Sequence, residues 1–226
     1  MTDQIPETIK TIAILGGTGK EGKGLGYRWA KAGYRVVIGS RQLEKAQAAA
    51  AEIMEKAGGN VQVEGMENPA AARAGEVVVI TVPYSAHQST LQALAADLRD
   101  KIVVDVTVPI VPPKVTRVQM PPAGSAAQET LQILGEGATV VSAFQNISYE
   151  HLLNDEPVEC DVLVSGTGKA ARTLILKLIA EIGLTGWDAG PIENSVIAEG
   201  LTSILIGLNK QYGVQSAGIK ITGISR

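Results

Sequence analysis

Short apolar runs alternate along this chain with longer segments whose apolar residues recur every three or four positions. That alternation predicts strands interleaved with helices in a mainly parallel α/β sheet. Residues 11–15 read as the first strand and 16–22 as a glycine-rich turn. Residues 23–31 follow as a helix, with Leu25 and Trp29 one turn apart and Gly33 as its stop. A second strand is expected over 35–39, a helix over 43–57 ended by Gly58-Gly59, and a third strand over 60–64. Asn68 is the expected cap of a helix over 68–74, with Pro69 in its first position. Residues 76–82 form a fourth strand. Its core Val77-Val78-Val79-Ile80 has no polar alternation and so belongs in the middle of a sheet. A helix over 85–98 and a fifth strand over 101–106 follow.

The pattern then changes. Residues 109–124 carry Pro109, Pro112, Pro113, Pro121 and Pro122 and read as a long loop, of the kind that is often functional. Ser125 and Gln128 make a capping box for a new helix. Strands are expected over 139–143 and 160–164, and helices over 170–182 and 194–213. Composition narrows the class. With 226 residues, 45% of them hydrophobic, and a net charge of −3, the chain can bury a core and lacks the basic surplus of a nucleic-acid-binding protein. One cysteine, Cys160, excludes a disulfide framework, and two histidines, His87 and His151, argue against a zinc or non-haem iron site. The polar start over 1–10 and the lack of an apolar stretch of about 18 residues predict a cytoplasmic protein without a membrane segment.

Gly17-Thr18-Gly19-Lys20-Glu21-Gly22 fits G-x-G-x-x-G between a predicted strand and a predicted helix. In that setting Gly17 allows the tight turn, Gly19 lets backbone approach a pyrophosphate, and Gly22 lets the helix pack on the strand. The helix N-terminus then faces the phosphates. The expected architecture is therefore a Rossmann-type doubly wound sheet over 1–150, with a smaller α/β part over 151–226 packed on it. An acidic residue at the end of the second strand would bind the ribose 2′-hydroxyl of NAD. This chain has Ser40-Arg41 there, with Lys45 one turn on, a set suited to a 2′-phosphate and so to NADP(H). Val82, Pro83 and Tyr84 end the fourth strand on the expected dinucleotide path. Catalytic acid–base groups are scarce: no nucleophile elbow, Cys–His pairing or Tyr-x-x-x-Lys pair is legible. His87 reads as a surface or capping residue and His151 as exposed. Such scarcity suits hydride transfer between two stacked redox cofactors, where the protein chiefly orients its ligands.

The strings Ile14-Leu15-Gly16-Gly17-Thr18-Gly19, Gly39-Ser40-Arg41, Val141-Ser142-Ala143-Phe144-Gln145-Asn146-Ile147, Asp188-Ala189-Gly190-Pro191 and Gly218-Ile219-Lys220 resemble those of the NADPH-dependent coenzyme F420 reductases over nearly the whole chain. The resemblance implies hydride transfer between NADP(H) and the deazaflavin coenzyme F420, in a cytoplasmic homodimer. It assigns Thr18, Gly19, Lys20, Glu21, Ser40, Arg41 and Lys45 to NADP and Tyr84 to the nicotinamide half. The segment from Ala143 to Ile147, including Gln145 and Asn146, and Ala217-Gly218 would wall the deazaflavin ring. Archaeal members carry Leu-His-Thr-Ile where this chain has Phe144-Gln145-Asn146-Ile147, so Gln145 would offer an amide hydrogen bond to a ring carbonyl where a histidine could titrate. Lys114, Arg117, Lys169, Arg172, Lys210 and Lys220 are candidates for the anionic tail of the deazaflavin. Two other readings stay open: an NADPH-dependent reductase of another small acceptor, and an NADP-binding sensor without turnover.

Overall fold

The computed structural model describes residues 8–135 and 138–224. The polar start of the chain lies mostly outside them. The strands are β1 (Thr11–Leu15), β2 (Arg35–Ser40), β3 (Val63–Glu67), β4 (Val77–Ile80), β5 (Ile102–Asp105), β6 (Thr139–Ser142), β7 (Asp161–Gly166) and β8 (Thr185–Gly190). They make one eight-stranded sheet in the order β3-β2-β1-β4-β5-β6-β7-β8. All neighbours run parallel except β6 and β7. The helices are α1 (Lys20–Lys31), α2 (Leu43–Lys56), α3 (Asn68–Ala74), α4 (Tyr84–Leu94), α5 (Ala126–Leu134), α6 (Tyr149–Leu152), α7 (Lys169–Glu181) and α8 (Ser195–Tyr212). This is the expected doubly wound α/β fold.

The two-residue strand period builds both cores at once. In β1, Ile12 and Ile14 join one cluster with α1, α2 and α7 through Leu25, Trp29, Ile53, Ile175 and Leu178. Ala13 and Leu15 face the other way, towards Ala71, Ala72, Leu91 and Leu94 of α3 and α4. The strand order reverses at β1/β4, where β2 and β3 lie on one side of β1 and β4 onward on the other. The crevice at the carboxyl ends of such strands is where ligands bind in this architecture.

Several boundaries differ from the sequence expectation. β3 begins three residues late, at Val63, because its place is set by pairing with β2 (Val36 opposite Val63, Ser40 opposite Glu67) and not by its own composition. Gly65 is needed there: a Cβ would lie 2.3 Å from the Gln47 backbone nitrogen of α2. Asn68 is the first residue of α3 and not its cap. Glu67 holds the cap position without a side-chain hydrogen bond. β8, missed altogether, is a half-buried edge strand of sequence TGWDAG with no alternating pattern. α6 was also unforeseen, and at four residues it owes its form to tertiary contacts rather than propensity. The Ser125 cap is as expected, its Oγ accepting the Gln128 N–H at 3.0 Å. Among the described residues no helix is long and apolar enough to cross a membrane.

Candidate functional site

The turn after β1 has three glycines with different duties. A Cβ on Gly17 would lie 2.7 Å from the Ile14 carbonyl oxygen, and one on Gly22 would lie 2.6 Å from the Gly17 Cα. Both positions are therefore fixed by packing within the chain. Gly19 is different. It is exposed, its φ of −75° suits any residue, and a Cβ would meet only the Gly16 carbonyl oxygen at 3.9 Å. Nothing in the folded chain requires a glycine there. Gly19 is also the N-cap of α1 and supplies no side-chain cap, so the positive end of that helix stays open to an anion. Glu21 sits in the first turn. Its side chain is only partly covered, but Oε1 is sealed from solvent without a hydrogen-bond partner. Burial pushes its pKa up to about 8, which leaves the group largely neutral at pH 7.

At the end of β2, Ser40 is buried and its Oγ accepts the Gln42 N–H at 3.2 Å. Arg41 and Lys45 are exposed, and among the described residues neither has an ion-pair partner. A cavity of about 340 Å³ opens beside them, lined by Ser40, Arg41, Asn68, Pro69, Ala86, Ser89, Thr90 and Leu94 among others. Glu67 also lines it, without an ion pair to Arg41. The Asn68 Oδ1 atom is buried at this edge without a hydrogen-bond partner, packed against Gly39.

Val82 is buried, Pro83 is exposed, and Tyr84 opens α4 half-buried. Behind Tyr84 lies a polar cluster that corrects the reading of His87. His87 is fully buried, and so is Asp105 at the end of β5. Their Nε2 and Oδ2 atoms are 2.8 Å apart. Thr130 of α5 donates to the same Oδ2 at 2.5 Å, and the Thr107 N–H donates to Oδ1 at 2.9 Å. The Tyr84 hydroxyl donates to Glu129 Oε1 at 3.3 Å, and Glu129 Oε2 faces His87 Nδ1 at 3.7 Å. Burial pulls the His87 pKa down, but the Asp105 hydrogen bond and the charges of Asp105 and Glu129 outweigh it and hold it above its ordinary value. Burial likewise pushes Asp105 up, and His87, Thr130 and the Thr107 N–H outweigh it and hold it low. Each shift favours the charged form of its group. Tyr84 is pushed up to about 12 by burial and by Glu129. Glu199 of α8 is buried against the α5 N-terminus, accepting the Ala126 and Ala127 N–H groups at 2.6 and 3.1 Å. Burial, reinforced by Asp105 and Glu129, pushes its pKa up to about 8 against the pull of those N–H groups.

The segment after β6 is tied to α8 and to the C-terminal tail. Asn146 Nδ2 donates to the Ala198 carbonyl at 2.7 Å, and Thr202 Oγ1 donates to the Gln145 carbonyl at 2.7 Å. Gly218 fits beside Cys160, where a Cβ would be 2.5 Å from Sγ, and the Ala217 N–H donates to Asn209 Oδ1 at 2.9 Å. Asn146 and Gly218 thus meet at Cys160, while Ala143 and Ile147 are buried in the core cluster. Phe144 departs from the expected wall. With φ of +74° it turns its ring into the core, edge-on to Trp29 at 5.7 Å. The donation expected from Gln145 is also already taken. Its Nε2 donates to the Asp105 carbonyl and to Ser142 Oγ, each at 2.8 Å. A backbone carbonyl can only accept, so the nitrogen must face it. The free atom is therefore the acceptor Oε1, buried and unpartnered. His151 is half-buried, not exposed. Of the candidate tail-binding cations, Arg172 is held by Asp188 at 2.6 Å and Lys220 lies 3.9 Å from Glu159.

Sequence reasoning missed Glu129, Asp105 and Glu199. A lone carboxylate ending the apolar run Ile102-Val103-Val104-Asp105, and another inside an otherwise apolar helix at Glu199, were the signals available.

Residues 11–109 match the family described as "NADP oxidoreductase coenzyme F420-dependent". The chain is 42% identical over 221 residues to the F420-dependent NADP reductase of Methanocaldococcus jannaschii, covering 94% of this chain and 98% of that one. It is 42% identical over 223 residues to the enzyme of the same description from Methanothermobacter thermautotrophicus, covering 96% of each chain. Among solved structures, a candidate F420-dependent NADP reductase from Arthrobacter sp. FB24 superposes with a TM-score of 0.78 at 24% identity, covering 96% of this chain and all of that one.

Proposed function

This chain belongs to the family of F420-dependent NADP oxidoreductases, and we propose on that premise that its crevice holds NADP(H) extended from Arg41 to Tyr84, with the deazaflavin beside residues 143–147. It is an oxidoreductase that passes a hydride between NADP(H) and coenzyme F420. The observation that carries the proposed site is the pair of cations at the end of β2, without ion-pair partners among the described residues, together with an uncapped α1 N-terminus behind Gly19. Arg41 and Lys45 supply charge for a 2′-phosphate, and the open N–H groups of α1 supply donors for the pyrophosphate. A Glu21 carboxyl kept neutral removes the repulsion that a carboxylate would impose there.

Residues 151–226 complete the deazaflavin side and, in our reading, the contact with a second copy of the chain. Ile197, Ile204, Leu208 and Tyr212 are exposed along one stripe of α8, and the exposed Val118 of the proline-rich loop packs on the same helix at Gly200. We assign that stripe to a homodimer interface, and Ile204→Asp should convert the protein to monomers on a sizing column with light scattering. The single buried thiol of Cys160 fits a reducing compartment such as the cytoplasm. The functional reading is tested by titrating NADPH and NADH into the protein and then following deazaflavin absorbance with each. NADPH should bind at least about tenfold more tightly, the effect of about 1.4 kcal/mol from the 2′-phosphate contacts, and should bleach the deazaflavin. Equal affinities refute the cofactor assignment, and NADPH binding without bleaching refutes the acceptor.

A further inference from the structure

The cluster behind Tyr84 has more proton-carrying groups than a fold needs. Its members come from three elements: Tyr84 and His87 from α4, Asp105 from β5, and Glu129 and Thr130 from α5. The Glu199 carboxyl of α8 flanks the cluster from a fourth side, at the α5 N-terminus. The hydrogen bonds fix the direction of the chain. Thr130 donates to Asp105, so its oxygen is free to accept, and His87 Nε2 must carry the hydrogen that it shares between Asp105 and Thr130. That leaves His87 Nδ1 and Glu129 Oε2 facing one another, both buried and neither in a hydrogen bond. Two bare acceptors at such a place repel, so one proton belongs between them. On its other oxygen Glu129 meets the hydroxyl of Tyr84, a half-buried residue that opens α4 just beyond the carboxyl end of β4.

We propose that Tyr84, Glu129, His87 and Asp105 form the acid–base machinery for the proton that accompanies hydride transfer, with the Tyr84 hydroxyl as its outlet and the other three as positioning residues behind it. The inference rests on the functional reading above. Reduction of a deazaflavin by NADPH moves two electrons and one hydrogen as hydride and takes up one further proton on ring nitrogen. In that direction Glu129 Oε2 takes the proton of His87 Nδ1, and a turn of the carboxyl presents it to Tyr84 Oη. The hydroxyl swings its own hydrogen from Glu129 to the crevice and releases it there, and His87 is left neutral with its Nε2–H still on Asp105. The cluster loses one proton in all, no electrons move within it, and the reverse reaction returns the proton by the same atoms.

The first readout needs no turnover. With only two histidines in the chain, ¹⁵N-histidine labelling gives two imidazole spin systems. His87 should show both ring nitrogens protonated at pH 7, and Glu129→Gln should lower the pH at which it loses a proton by about one unit, the scale of a close buried charge. Next, Tyr84→Phe should reduce kcat about 100-fold, within the usual range for general acid–base catalysis, and leave the NADPH Kd within about twofold. Glu129→Gln should shift the alkaline limb of the kcat profile to lower pH by the same amount as the His87 titration. A His87 that is neutral at pH 7, or variants with wild-type kcat at every pH, overturns the proposal while wild-type turnover stands. Failure of the wild-type protein itself to turn over the two coenzymes overturns the functional reading, and this inference with it.

Discussion

Replacing Gly19 separates what the fold needs from what a ligand needs. In the folded chain a Cβ at this position lies 3.9 Å from its nearest neighbour, and the backbone is already extended. The stability cost of Gly19→Ala is therefore limited to the weaker capping preference of alanine, about 1 kcal/mol. For a chain of this size that lowers Tm by about 2–4 °C. Gly17→Ala is the contrasting case, since its Cβ would sit 2.7 Å from the Ile14 carbonyl and 3.2 Å from the Cγ2 atoms of Ile14 and Ile38. Overpacking of that kind costs about 1–3 kcal/mol or more. Binding should show the reverse order of sensitivity for its size. Holding a pyrophosphate off the α1 N–H groups forfeits at least one hydrogen bond to a charged group, about 1.5–3 kcal/mol, or roughly 10- to 150-fold in Kd. Thermal melts run beside calorimetric titration of NADPH measure both quantities. A Gly19→Val protein that melts near wild type and binds NADPH with wild-type affinity refutes the argument that this glycine exists for the ligand.

Arg41→Glu should raise the KM for NADPH by at least about tenfold while kcat changes little, as expected for a contact remote from the reacting atoms; steady-state kinetics at saturating deazaflavin check this. Glu21→Gln should abolish a loss of NADPH affinity that wild type shows above about pH 8, where the buried carboxyl ionises beside the phosphate site, as read from Kd against pH. Glu199 has a folded pKa raised from 4.5 to about 8, so it favours folding fully below 4.5 and that stability is lost as pH rises to about 8. The displacement corresponds to about 4–5 kcal/mol. Glu199→Gln removes this dependence but leaves the Ala126 or Ala127 N–H without an acceptor, about 1–3 kcal/mol. Denaturant melts should thus find the variant less stable than wild type at pH 5 and more stable at pH 9.

The parts of this molecule legible in its sequence are those set by local pattern. The run Thr11-Ile12-Ala13-Ile14-Leu15 followed by Gly17, Gly19 and Gly22 needs no distant partner to be read as strand, turn and helix. Neither does the Ser125 cap, whose acceptor and donor are three residues apart. What could not be read depends on strand order. His87 and Asp105 are 18 positions apart and meet because β4 and β5 are neighbours, which places the first turn of α4 over the end of β5. Glu199 reaches the α5 N-terminus across 73 residues. β8 escaped notice because an edge strand with one partner has little need of an apolar pattern. The outward role expected of Phe144 failed for a backbone reason, since its left-handed conformation turns the ring onto Trp29. Gln145 could not be read either, because its amide nitrogen holds the end of β5 to that of β6, a contact that depends on strand order.

Direct hydride transfer between the two coenzymes is the step on which the proposed function rests. The measurement that tests it most directly is a single turnover of NADPH carrying deuterium at both C4 positions, with oxidised coenzyme F420 in ordinary water, followed by NMR or mass analysis of the reduced deazaflavin. One deuterium at ring carbon C5 is the predicted result. A product that carries only solvent hydrogen at that carbon contradicts it.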